Sequence, residues 1–260
     1  MSRIVVYSGP SCVGKGPLRA VLEECFPQYR PIAKGGIVGK PILYVSREPR
    51  LDKGESEGNP YYFRTVIEIQ DMVDEDRARY IAGWIRGNEQ FQALDLLKTR
   101  ELLQQTQLVL LEIYGTLGAQ LVEPHHIEYL GKDIQTMSIF ISPLSADELN
   151  KLKARGADLS SSIERLMLRK LERRDDKKPE QWPNRASWAY KEMKHAHKYA
   201  HVIPNHDGED SDNWGLPHHR GDNWGLAYPI GDAKKTLEIF VELLETGKSD
   251  LTEHWPGGLL

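Results

Sequence analysis

Short apolar runs alternate along this chain with segments of helical spacing. Residues 3–7 (RIVVY), 42–45 (ILYV), 108–113 (LVLLEI) and 137–142 (MSIFIS) are apolar, several of them rich in β-branched residues. Runs without polar alternation are typical of strands covered on both faces, as in a parallel sheet. Residues 201–204 (HVIP) predict one further, short strand. Segments 17–26, 94–105, 145–153, 162–174, 186–199 and 232–246 predict helices. Pro27 stops the first, and the Ser145–Glu148 capping-box pattern opens the third. Residues 61–66 and 79–86 predict short strands of a smaller sheet, and the two prolines of 177–184 (KKPEQWPN) interrupt helicity. Strands alternating with helices predict an α/β fold: a doubly wound parallel sheet with helices on both faces.

Composition narrows the class. A chain of 260 residues, 40% hydrophobic and 28% charged, suits one soluble α/β domain with insertions or a mobile subdomain. The net charge of −4 argues against a general nucleic-acid partner. Residues 151–200 differ from the rest: they hold 14 Lys/Arg against 7 Asp/Glu, an excess of +7 that suits an anionic ligand. Cys12 and Cys25 make neither a disulfide framework nor a C-x-x-C metal site. No apolar stretch reaches the roughly 18 residues that span a bilayer, and the first residues run straight into a strand, so no membrane partner and a cytoplasmic location are expected. The pentapeptide DNWGL occurs at 212–216 and again at 222–226. Its surroundings, 206–231, are rich in Gly, Asp, Asn and His and predict a long surface loop, while 248–260 predict a loose tail.

The chemistry starts at Gly9, Pro10, Ser11, Cys12, Val13, Gly14, Lys15 and Gly16, which match G-x-x-x-x-G-K between a strand and a helix. Glycines let backbone N–H groups turn inward as an anion nest, the helix N-terminus adds partial positive charge, and Lys15 adds a full one. The pattern predicts ATP as ligand. Gly16 stands where a Ser or Thr hydroxyl would touch Mg²⁺, so the metal would be held through water or by other groups. The bland alternative is a glycine-rich turn with a lysine beside it.

The segment GPSCVGKG resembles the phosphate loop of guanylate kinases, with Pro17 in place of their Thr. The resemblance continues in order. It includes S46-R-E-P-R50, G54-E55 and G58-N-P-Y-Y-F63, then G87-N88, L111-E-I113 and G118-A119. It ends with R155-G156, E192-M-K-H-A-H-K-Y199 and V202-I-P-N205. It implies a P-loop NTPase fold over residues 1–247: a core (1–45, 94–150, 200–247), an acceptor-binding subdomain at about 46–93 and a lid at about 151–199. Residues 206–230 would be a loop insertion and 248–260 a tail. It also implies roles. Arg47 and Arg50, helped by the Tyr61 hydroxyl, would grip the acceptor's phosphate; Arg155 and Arg185 would close from the lid; Asn205 would contact the adenine; Glu112 would orient Mg²⁺ through water. Forked guanidinium groups suit phosphate in any case. The function implied is transfer of the γ-phosphate of ATP to a nucleoside monophosphate, GMP first.

Departures from that pattern keep alternatives open. Gly83 precedes Trp84 where many members carry the acidic residue that reads guanine; Arg86, Asn88, Gln90 and Gln92 nearby could read another base. Glu112-Ile-Tyr114 replaces D-x-D. Residues 31–41, about 165–184 and 206–230 are insertions. A different nucleoside monophosphate, a sugar phosphate, or a non-catalytic binding module is therefore also considered. Arg47 and Arg50 could be surface charges and Tyr61 a packing aromatic. Arg165, Arg169 and Arg173, four apart, read as a solvated helix face. His195, His197, His201, His206, His218 and His219 have no cysteine nearby and are not read as a zinc site.

Overall fold

The computed structural model describes residues 2–51, 54–85, 90–173, 179–215 and 228–260. In chain order its elements begin β1 (Arg3–Ser8), α1 (Lys15–Cys25), β2 (Val38–Gly39), β3 (Leu43–Val45), β4 (Ser56–Glu57), β5 (Pro60–Phe63), α2 (Val66–Glu75), β6 (Tyr80–Ile85), β7 (Gln90–Asp95) and α3 (Leu96–Gln105). They continue with β8 (Leu108–Glu112), α4 (Gly115–Leu121), α5 (Pro124–Leu130), β9 (Gln135–Ser142), α6 (Ala146–Ala154), α7 (Leu159–Arg173), α8 (Trp182–Met193), β10 (His201–Pro204) and α9 (Gly231–Thr246).

The main sheet runs β10-β9-β1-β8-β2, and every neighbouring pair is parallel. Strand β1 lies at its centre, with Val5 opposite both Leu110 and Met137. Its side chains alternate between two cores, which explains its unbroken apolar sequence. Val5 and Tyr7 pack with Leu18, Val21 and Leu22 of α1 and with Leu237 and Phe240 of α9. Ile4 and Val6 pack on the other face with Leu96 and Leu103 of α3, Leu117 of α4 and Leu130 of α5. The predicted parallel sheet with helices on both faces is therefore present.

A second sheet, β4-β5-β3-β7-β6, mixes parallel and antiparallel pairs. Helix α2 covers it, with Ile69 buried among Tyr44, Tyr80, Phe91 and Ala93. The sequence reading missed α2 because V66-I-E-I69 looks like a strand. The signal was there, however: Thr65 and Glu68 form a complete capping box. The reading also missed β7, α4 and α5. The run at 42–45 forms a strand in the second sheet, whereas the main sheet's edge strand is β2, inside the segment taken for an insertion. The boundary expected after residue 45 thus falls between β2 and β3.

Two further expectations are corrected. Helix α8 begins at Trp182, with Pro183 in its first turn, where the missing N–H costs nothing. Residues 248–260 are not loose. Val202 and Glu253 exchange both backbone hydrogen bonds at 2.8 Å, and Trp255 is 2% exposed against the core of α7 and α8. Arg165, Arg169 and Arg173 lie on the exposed face of α7, as read.

One polar tie joins α6, the end of β10 and α9. His206 Nδ1 lies 2.5 Å from Asp232 Oδ2, and Nε2 lies 3.0 Å from both Glu148 carboxylate oxygens. Burial works against protonation of His206, but hydrogen bonds to Asp232 and Glu148 and their charges outweigh it, so its pKa is raised. A raised folded-state pKa gives stability that is full below the unfolded imidazole value and is lost as pH rises through the folded value. His206→Ala is expected to lower stability in denaturant unfolding at pH 6 and to have a smaller effect at pH 9. An equal effect at both pH values would contradict a charged His206.

Candidate active site

The phosphate loop links β1 to α1, and its helix N-terminus opens on the carboxyl ends of the parallel strands, where open α/β sheets bind ligands. Gly14 is the N-cap of α1 with φ 97°. A Cβ there would lie 2.7 Å from both Asn205 Nδ2 and the Asp207 carbonyl oxygen, so only glycine fits. Cys12 adopts φ 67° without being glycine, a conformation that costs an L-residue roughly 1–2 kcal/mol. Its buried thiol contacts the Lys170 carbonyl at 3.5 Å on α7. The Lys15 ammonium donates to the carbonyls of Gly9 and Pro10 at 2.6 and 2.8 Å.

Gly9, Ser11 and Lys15 line a cavity of about 320 Å³ between the phosphate loop and the second sheet. Across it stand Tyr61, Gln92 and Ile85; Glu112, Ile113 and Tyr114 line it from the end of β8. Glu112 accepts a hydrogen bond from the Tyr7 hydroxyl at 3.2 Å. Burial, then the Glu112 charge, holds the Tyr7 phenol well above its usual pKa, and the same two causes raise that of Tyr61.

The structure redistributes the predicted site residues. Arg185 on α8 is buried and donates to Ser11 Oγ at 3.2 and 3.3 Å, so it reaches the phosphate loop. Arg155 caps the C-terminus of α6 on the exposed surface and does not line the cavity. Neither Arg47 nor Arg50 lines it. Both Nη groups of Arg47 donate to Glu55, at 2.6 and 2.8 Å, and its guanidinium lies 5.1 Å from the Tyr61 ring centroid. The exposed Arg50 directs its backbone N–H to Glu55 at 2.8 Å. Hydrogen bonds from Arg47 outweigh partial burial and lower the Glu55 pKa. Asn205 is fully buried. It donates to the Val13 and Asp207 carbonyls at 2.7 Å and so braces the phosphate loop.

Among the base-reading candidates, Gln92 lines the cavity directly opposite Gly83 in the sheet register. Arg86 and Asn88 lie outside the described residues. Sequence reasoning missed Arg19, Lys40, Glu55 and Glu192, all of which line the cavity. Arg19, four residues after Lys15, was recoverable from helical spacing; Lys40 was not, because its segment was read as a loop. The candidate zinc histidines do not gather: among the described residues the grouping with metal-ligand spacing is Glu123, His125 and His126, which does not line the cavity. His218 and His219 lie outside the described residues.

The first DNWGL copy is not a solvated loop. Trp214 is 1% exposed and donates from Nε1 to the Asp207 and Gly208 carbonyls at 3.0 and 2.9 Å. The second copy lies outside the described residues. Behind the loop, the Tyr199 hydroxyl donates to Ser8 Oγ at 2.9 Å and lies 2.8 Å from the Gly115 carbonyl. A Cβ on Gly118 would sit 2.3 Å from that hydroxyl and 2.7 Å from Ser8 Oγ. Gly→Ala in a helix normally gains up to about 1 kcal/mol. Here the clash reverses the sign, and Gly118→Ala is expected to cost about 1–3 kcal/mol in denaturant unfolding. Adding Tyr199→Phe should recover part of the loss; no recovery would place the strain elsewhere.

No family model matches the chain. Guanylate kinase from Synechococcus sp. (strain JA-3-3Ab) is 32% identical over 164 residues, 63% of this chain and 65% of that protein. Guanylate kinase from Mycoplasmoides gallisepticum is 27% identical over 208 residues, 79% and 86%. Guanylate kinase from Synechocystis sp. is 30% identical over 162 residues, 62% and 73%. A solved guanylate kinase from Anaplasma phagocytophilum superposes with a TM-score of 0.48 at 18% identity, covering 96% of this chain and 89% of that one. With its phosphate loop at the carboxyl ends of a parallel sheet and curated relatives of this identity and coverage, the chain belongs to the guanylate kinase family.

Proposed function

We propose that the protein transfers the γ-phosphate of ATP to a nucleoside monophosphate, with GMP the first acceptor to test. The observation that carries the reading is the cavity itself, which puts Lys15 of the phosphate loop, Glu112 at the end of β8 and Tyr61 of the second sheet around one space. The second sheet serves as the acceptor-binding subdomain and the α6–α8 segment as the lid.

Phosphoryl transfer relies on positioning and electrostatics rather than covalent catalysis. The loop amides and Lys15 hold the ATP phosphates. Arg185, already against Ser11, stabilises charge on the moving group and, with α8, shields it from water. Arg155, Arg47 and Arg50 join the site only if lid and subdomain rearrange on binding. Tyr61 contacts the acceptor, and no general base is needed because a phosphate monoester is ionised near neutral pH. The donor set suits Mg²⁺, since one carboxylate (Glu112) facing the cavity, completed by phosphate oxygens and water, is ordinary for that ion. When bound, Mg²⁺ would neutralise charge across the β- and γ-phosphates.

A second reading, with the same chemistry on another base or a sugar phosphate, rests on Gly83 and Gln92, which offer an amide where the guanine carboxylate is missing. A coupled ADP-release assay across the common nucleoside monophosphates separates the two. GMP-specific turnover supports the first; turnover with another acceptor supports the second. No ADP release dependent on any of these mononucleotides would refute a nucleoside monophosphate acceptor and favour a sugar phosphate or a binding module.

A further inference from the structure

The turn from α4 into α5 gathers Glu123, His125 and His126, three side chains of metal-binding type that do not line the phosphate-loop cavity. One ligand atom from each lies within 4.8 Å of the other two. Ligand atoms on one tetrahedral Zn²⁺ stand about 3.4 Å apart, so small side-chain rotations close the remaining gap. The backbone beneath them is fixed. Leu121 of α4 and Leu130 of α5 are fully buried in the core that holds Leu96 and Leu103 of α3. Within the turn, the Glu123 N–H donates to the Gln120 carbonyl at 3.0 Å and the His126 N–H to the Glu123 carbonyl at 3.1 Å.

The imidazole of His126 is also oriented. Its Nδ1 lies 2.8 Å from the Gln120 carbonyl oxygen, an acceptor that needs an N–H. Nδ1 therefore carries the proton and Nε2 keeps the lone pair, the arrangement in which a backbone carbonyl holds a metal-binding histidine. The exposed His125 ring lies beside it, with centroids 3.9 Å apart. The Glu123 side chain makes no capping hydrogen bond to α5. Its ion pair with Lys198, at 3.6 Å, is about 40% exposed on both sides and thus a weak competitor for the carboxylate.

We propose that Glu123, His125 and His126 bind one divalent ion of the zinc type, with water in the fourth position. Two imidazoles and a carboxylate suit Zn²⁺, whereas Mg²⁺ prefers oxygen ligands alone. The site is separate from the phosphate-loop cavity and does not rest on the phosphotransfer reading.

Calorimetric titration of Zn²⁺ into untagged, chelator-treated full-length protein tests this. The sequence supplies a control, because Pro-His-His occurs at 124–126 and again at 217–219. Wild-type protein should take up one tightly bound equivalent. Glu123→Gln, His125→Ala and His126→Ala should each weaken that binding about tenfold or more, while the paired His218→Ala and His219→Ala variant stays within about twofold of wild type. A tenfold excess of Mg²⁺ should not displace the ion. Absence of a tight equivalent would overturn the site. So would binding that survives all three substitutions together, binding lost only in the 218–219 variant, or displacement by Mg²⁺.

Discussion

Lys15→Ala is expected to lower kcat/KM for acceptor-dependent ADP release by about 10³-fold or more, equivalent to about 4 kcal/mol of transition-state stabilisation. The magnitude follows from the reaction. The phosphate loop offers backbone dipoles, and within it Lys15 supplies the full charge placed to meet the β- and γ-phosphates. Its ammonium donates to the carbonyls of Gly9 and Pro10 of the same loop, which holds it beside the cavity. Those two bonds are partly solvated, each worth about 1 kcal/mol net. Unfolding in denaturant should therefore change by no more than about 2 kcal/mol, which separates a catalytic defect from a folding one. Retention of more than about a tenth of wild-type activity would remove Lys15 from the mechanism.

Trp214→Ala should have the largest effect on stability, about 3–5 kcal/mol. Trp214 is buried with Val13, Leu18, Ala233, Leu237 and Phe240, beneath the phosphate loop and between α1 and α9. Its ring closes to 2.8 Å of the position that a Cβ on Gly14 would take, so it sets the floor of the loop. Truncation leaves both a void and two carbonyls, of Asp207 and Gly208, without their indole donor. Trp214→Phe keeps most of the volume but loses the N–H and part of the ring, so it should cost about 1–3 kcal/mol. Calorimetric melting should show Trp214→Ala shifted down by about 10 °C. A shift under about 2 °C would return this copy of DNWGL to the surface loop the sequence predicts. ATP affinity should fall with it, because the loop loses its support.

The local features were legible because their causes lie in consecutive residues. Strands β1, β8 and β9 declare themselves as unbroken apolar runs, since both faces of the main sheet are covered. The phosphate loop is a contiguous backbone device. Arg185 was named only through the family resemblance of the segment around Glu192, and it donates to Ser11. Helix α2 was hidden by its β-branched start, and β2 by its two-residue length and the glycines around it.

What the sequence by itself determined is the donor side: a strand, an anion nest and Lys15, whose geometry depends on neighbours along the chain. Only the tertiary structure decided which side chains line the cavity opposite the phosphate loop. The pairing of Arg47 with Glu55, eight residues on, follows from the fold of that loop and not from any helical or strand spacing. Whether a lysine in a glycine-rich segment matters depends on where its strand ends, and the β2 edge delivers Lys40 to the cavity beside Arg19. Likewise DNWGL is polar by composition, but one tryptophan found a buried site under the phosphate loop, where burying its ring outweighs the polarity of the residues around it.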